Sequence, residues 1–338
     1  MPIDPPSLAS ASAPDASISR DAALAYWSSI SADNEGMLGG YPQVSRIDIQ
    51  GSSNFLAKLQ RLDHASSTSS SASTSTATSK RKLEDSDSAP DPGKTGIPGV
   101  GGRGKRVYER AADCGAGIGR ITMGLLVHHA KVVDVVEPVK KFTDALVAAA
   151  PAAMRKDAAG EVVGTVGRIY NLGLEDWDPC DLAGAGVRDG RQDVDVGTAS
   201  GALGEGDAGA EEGTGAETGR QTEGGTTPAP TSTPTYDLIW NQWCLGQLTD
   251  AQLVLYLRCC ALSLLPSGWI IVKENMSSHI DGTDIFDDTD SSVTRSDQSF
   301  RRIFEKAGLS VVLTEVQRGM PRELFAVRAY ALRPRSWT

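Results

Sequence analysis

The runs Asp113-Cys114-Gly115-Ala116-Gly117-Ile118-Gly119-Arg120 and Val132-Val133-Asp134-Val135-Val136-Glu137 constrain this chain more than any other stretch. Three glycines at alternate positions let a backbone turn sharply off a strand and come close to a ligand. Ile121-Thr122-Met123-Gly124-Leu125-Leu126 then reads as the start of a helix whose amide end faces that ligand. The second run reads as a buried parallel strand, and its terminal carboxylate suits the two hydroxyls of an adenosine ribose. Together they dictate a strand–turn–helix–strand unit.

Glycine-rich turns of this kind also serve dinucleotides, but Asp113 argues against one here. A negative charge directly before the glycines suits a pyrophosphate poorly; it can hold an α-ammonium group, while Arg120 faces a carboxylate. A methionine moiety carries both groups and no phosphate. The charge pattern therefore favours S-adenosylmethionine over a nicotinamide cofactor.

Downstream, Tyr236-Asp237-Leu238-Ile239-Trp240 and Trp269-Ile270-Ile271-Val272-Lys273 read as strands separated by a helix over 250–264. A helix over 297–307 and strand-like runs over 309–314 and 325–332 complete the alternation. The expected fold class is α/β: a Rossmann-like, mostly parallel sheet with helices on both faces. Composition divides the chain further. Residues 1–18 are rich in Ala, Ser and Pro and read as a disordered tail, and 19–63 as an N-terminal helical segment. Within it, 22–30 has helical spacing, 36–41 is a glycine-rich turn and Phe55 to Leu59 opens another helix. Residues 64–104 and 182–235 read as low-complexity insertions, splitting the core into 105–181 and 236–334.

The net charge of −10 argues against nucleic-acid binding, which needs a basic face, and fits a cationic polypeptide partner. Five cysteines without metal spacing suit a reducing compartment. No stretch approaches the roughly 18 apolar residues of a membrane span. A cytoplasmic or nuclear protein is expected, with no membrane partner. Lys80-Arg81-Lys82 has the form of a minimal import signal, although such runs are also common as plain solvated charge.

The motifs after the first strand pair, including Asn171-Leu172-Gly173-Leu174-Glu175-Asp176-Trp177 and Leu265-Pro266-Ser267-Gly268, resemble those of class I methyltransferases. A narrower resemblance rests on five blocks in order: Gly36 to Tyr41, Asp113 to Thr122, Ile239 to Trp243, Lys273 to Met276, and Asp287 to Val293. These are similar to the protein α-N-terminal methyltransferases, which methylate the free α-amine of proteins beginning Xaa-Pro-Lys or Xaa-Pro-Arg after loss of the initiator methionine. The resemblance spans about 21–333 and skips both insertions. It implies S-adenosyl-L-methionine as co-substrate, no metal, and protein N-termini, ribosomal proteins among them, as partners. It places Gly115 and Arg120 on the donor's methionine portion, Glu137 on its ribose, and Leu174, Glu175 and Gln242 around the adenine and sulfonium. Trp27, Leu38, Trp243, Asp287 and Ser292 would bind the substrate N-terminus, with Asp290 as proton acceptor and Asn275 orienting the amine. Glu137, Glu175, Gln247 and Phe325 stand where the family often has Asp, Gln, His and Tyr. Gln247 and Phe325 remove a possible base and a hydroxyl, which leaves proton handling to Asp290.

Without that context, Asp287, Asp288 and Asp290 also read as a solvated acidic loop. Trp27 and Trp243 also read as core aromatics, and Asn275 as a turn former. His279 reads as an exposed loop histidine. The rival functional reading is a small-molecule methyltransferase sharing the donor motifs.

Overall fold

The computed structural model describes residues 13–71, 107–153, 164–181, 235–279 and 281–337. Strands that are apolar on both faces must be covered on both, and the central strands of the sheet have this character. β1 (Tyr108–Cys114), β2 (Ala130–Val136) and, beyond β3 (Thr165–Tyr170), β4 (Tyr236–Gln242) are buried along almost their whole C-terminal halves. β5 (Leu264–Met276) runs parallel to β4. A small antiparallel hairpin, β6 (Ile285–Asp287) and β7 (Ser292–Thr294), stands apart from the sheet. β8 (Leu309–Val316) and β9 (Ala326–Pro334) close the edge in the antiparallel sense.

The seven-stranded order is β3-β2-β1-β4-β5-β9-β8. Successive strands step outward from β1 to β3, then the chain returns to pair β4 with β1 on its other side. That reversal opens a crevice beyond the carboxyl ends of β1 and β4, where open α/β sheets bind ligands.

The helices are α1 (Arg20–Ser29), α2 (Asn34–Met37), α3 (Val44–Ser71), α4 (Arg120–Gly124), α5 (Lys140–Ala153), α6 (Asp250–Ser263) and α7 (Asp297–Lys306). Alternate strand residues feed two cores. Ile239, Ile270 and Val272 pack with Leu253, Tyr256, Phe300 and Phe304 of α6 and α7. Leu238, Trp240, Trp269 and Ile271 pack on the opposite face with Phe55, Leu56 and Leu59 of α3. α6 starts at a reciprocal cap between Thr249 and Gln252, which satisfies two otherwise orphaned amides.

Several local expectations change. α3 starts at Val44 rather than near Phe55, because Asp48 and Ser52 break its apolar period yet are buried against Lys273. It also extends to Ser71, beyond the expected boundary of the first insertion. α4 spans only five residues before a 3-10 turn over Leu126–His128. β5 incorporates the expected turn at 265–268. The tail orders earlier than expected: Pro14–Ser17 forms a 3-10 turn, anchored where Asp15 accepts the Asp250 amide. Lys80-Arg81-Lys82 and nearly all of both insertions lie outside the described residues.

Candidate active site

The turn after β1 is held open by glycine. Gly115 has φ +66°, and a Cβ there would lie 2.2 Å from Cβ of Cys244, so only glycine lets the loops after β1 and β4 touch. The same crowding recurs at Gly117, whose absent Cβ leaves room for the Met37 sulfur of α2. These two loops, α1 and the turn after β3 enclose a cavity of about 170 Å³. Gly115, Arg120, Glu137, Leu174, Glu175 and Gln242, which the sequence reading assigned to a donor, all line it, together with Asp113.

Its polar groups are fixed from behind. Glu137 accepts the amides of Gly117 (2.9 Å) and Val139 (2.8 Å). Burial nevertheless pushes its carboxyl up to about 7, the two amides offsetting part of the rise. Asp113 accepts the Thr122 hydroxyl, and burial raises it to about 6. Arg120 donates to Asp48 at 2.6 Å, and its guanidinium lies 5.2 Å from the Trp243 ring centre. Asp48, wholly buried on α3, also accepts from Gln242 and from Lys273, itself 1% exposed. Burial alone would raise the Asp48 carboxyl, but Lys273 and Arg120 outweigh it and hold it below the usual range. Arg120 and Lys273 against Asp48 leave one positive charge in excess beside the cavity, with Asp113 as a separate carboxylate on its wall. A zwitterionic amino-acid moiety matches that distribution. Gln242 is less free than the sequence implied, since its amide is engaged by Asp48 and the Trp240 indole.

A second cavity, of about 270 Å³, adjoins the first, and both are lined by Trp27, Met37, Trp243 and Gln247. Leu38, Asn275, Asp290, Ser292 and Phe325 line only the second. Trp243 and Ser291 both take left-handed φ values of 54°, a cost that non-glycine residues bear where surrounding contacts fix them. For Trp243 that contact is Glu274, whose Oε1 accepts the next two amides, Cys244 (2.9 Å) and Leu245 (3.0 Å). Arg295, fully buried, holds the same loop by donating to the carbonyls of Leu245 and Leu248. Among the residues lining this cavity, Nε1 of Trp243 and Oδ1 of Asp290 are buried with no hydrogen-bond partner among the described residues. Burial raises the Asp290 carboxyl above the usual range; Ser292 opposes the rise and the charge of Asp287 adds to it.

Asp287 lies differently. It is exposed at the end of β6, lines neither cavity and accepts the Thr289 amide. Its charge still reaches Tyr26 and Asp290, which places it at the rim. Asn275 sits inside β5 opposite Val327, not in a turn. His279 is half exposed and faces Asp281. Sequence reasoning missed Arg20, Asp48, Glu274 and Arg295; a signal existed for Asp48 alone, a charge interrupting an apolar helical period.

The family model described as AdoMet-dependent proline di-methyltransferase matches residues 15–78, 100–184 and 217–333. The chain belongs to this family. Alpha N-terminal protein methyltransferase 1 of Schizosaccharomyces pombe is 31% identical over 316 residues, covering 93% of this chain and 95% of the relative. N-terminal Xaa-Pro-Lys N-methyltransferase 1 of Rattus norvegicus is 30% identical over 311 residues, covering 92% and 93%. Among solved structures, a SAM-dependent methyltransferase of Leishmania major superimposes with a TM-score of 0.55 at 27% identity, covering 92% of this chain and 81% of that one. The class I methyltransferase fold expected from the motifs is the fold observed.

Proposed function

We propose that this methyltransferase transfers a methyl group from S-adenosylmethionine to the free α-amine of proteins beginning Xaa-Pro-Lys or Xaa-Pro-Arg. The observation that carries the reading is the junction of the two cavities at Trp27, Trp243 and Gln247, with an unpartnered Asp290 oxygen on the acceptor side. The names of the similar N-terminal methyltransferases support the substrate class.

The bound donor supplies an electrophilic methyl on a sulfonium, which the amine lone pair takes in line. In this reading Asp113 and Arg120, the latter held from behind by Asp48, face the amino-acid end of the donor, and Glu137 accepts the ribose hydroxyls. The residues on the acceptor side have three tasks. Only a neutral amine has the lone pair, and an α-amine of pKa about 7.7–8 is neutral in on the order of a tenth to a fifth of molecules at pH 7. Asp290 takes the ammonium proton on its free oxygen, and Asn275 orients the nitrogen through its amide. Trp243 and Trp27 wall the flat proline ring, while Asp290, Ser292 and, from the rim, Asp287 favour the basic third residue. Alignment in an enclosed channel is the larger contribution, since it can supply roughly 7–11 kcal/mol.

Mass spectrometry of Ser-Pro-Lys-Arg and Ala-Pro-Lys peptides incubated with enzyme and donor tests this. Methylated product from the free peptides and none from their N-acetylated forms is expected. Methylation of the acetylated peptides, or of small metabolites alone, would overturn the reading in favour of a lysine or small-molecule enzyme.

A further inference from the structure

We infer that Arg20 is a positioning residue that makes donor and peptide binding cooperative, by clamping α1 across both cavities; this rests on the function proposed above. α1 runs along both: Arg20, Ala23 and Leu24 face the donor cavity, and Trp27, two turns on, faces both, as does Met37 at the end of α2. It is secured at three points along its length. At the start, the Ser19 amide donates to Ser291 (2.7 Å), next to Asp290 on the hairpin turn. Within the first turn, Arg20 pairs with Glu175 (3.0 Å) and Asp176 in the turn after β3. At the far end, the Lys141 ammonium of α5 donates to the carbonyls of Ser28 and Ile30.

The middle attachment is the one that senses the donor. Glu175 and Arg20 both line the donor cavity, so a ligand filling it packs against the ion pair and shields it from water, which strengthens the attraction. In the free protein the pair is weakly held, because the Arg20 side chain is 52% exposed. A better-held Arg20 fixes α1, and fixing α1 sets Trp27 in the peptide channel and Ser19 on the Asp290 turn. Peptide binding draws on the same helix, so each ligand lowers the ordering cost met by the other. The coupling must be reciprocal. The clamp also gives Glu175 a partner that an uncharged glutamine at this position would not need.

Calorimetric titration of the full chain tests this, using Ser-Pro-Lys-Arg peptide and S-adenosylhomocysteine separately and together. In the wild type, each ligand is expected to tighten the other by about the same factor, on the order of five- to tenfold. Arg20→Ala should bring that factor to within about twofold of one, Arg20→Lys should retain most of it, and the thermal midpoint should hardly move, because the side chain is exposed. A wild-type factor of one, or an Arg20→Ala factor equal to the wild-type value, would overturn the inference while leaving the proposed function intact. A wild type that binds neither ligand would overturn both.

Discussion

The donor and acceptor cavities share a wall yet differ in how finished they are. On the donor side the polar groups already have partners: Glu137 holds two amides, Asp113 the Thr122 hydroxyl, and Gln242 both Asp48 and Trp240. Toward the acceptor side, Asp290 Oδ1 and, on the shared wall, Trp243 Nε1 have none among the described residues, and Trp243 and Ser291 sit in left-handed backbone. Buried polar atoms without partners are rare and costly in folded proteins, as is left-handed backbone outside glycine. The contrast teaches that the first cavity is framed by groups already paired within the protein, whereas the second keeps unsatisfied groups that, in the proposed reading, a peptide terminus would complete.

The strongest way to break the frame is Asp48→Asn. It leaves the Lys273 ammonium, 1% exposed, without its counter-charge, and should cost about 3–5 kcal/mol in urea unfolding. Donor affinity should fall with it, since Arg120 and Gln242 lose their anchor. Asp290→Asn addresses the other side. Turnover on an Xaa-Pro-Lys peptide should drop at least roughly tenfold, the loss of a proton acceptor, with the donor dissociation constant nearly unchanged. Unaltered steady-state rates would remove Asp290 from the mechanism.

A finer test uses pH. Burial pushes the Glu137 carboxyl up to about 7, and in the proposed role only its ionised form would accept both ribose hydroxyls. Donor affinity should therefore tighten by up to about tenfold from pH 6 to 8, one proton being released on binding. Glu137→Gln should bind less tightly and show a flat profile. The same raised pKa means that Glu137 favours the fold while protonated; this contribution is lost as pH rises from the unfolded value, about 4.3, through 7. The smallest effect is expected for Trp243→Phe, which keeps the aromatic wall but removes the indole donor. Peptide KM should rise about three- to fivefold, the worth of one neutral hydrogen bond, with kcat little changed.

Much of the donor side was legible in the sequence because its signals are local. Alternate glycines before a short helix demand positive φ and close approach, and Gly115 has both. The runs Val132 to Glu137 and Tyr236 to Trp240 fall in β2 and β4, the buried strands on either side of β1. The acceptor side was legible only through resemblance. Asp290 in a row of acidic residues looks like a solvated loop, and its burial arises from a hairpin whose two three-residue strands leave almost no periodic trace. Arg20 gave no signal, because an arginine at the start of an amphipathic helix is ordinary until Glu175 and Asp176 are brought beside it.

By itself the sequence determined the alternation of the main sheet strands with helices and the turn that only glycine can make. These follow from side-chain period and backbone stereochemistry, which act within a few residues. Tertiary structure alone decided which charges are buried and which are left over. Asp48 meets Arg120 across 72 residues and Lys273 across 225, and Ser19 meets Ser291 across 272. The interrupted apolar period marks Asp48 as unusual, but its partners carry no local signature, because a charged side chain is stable in water at any of these positions until the fold removes the water.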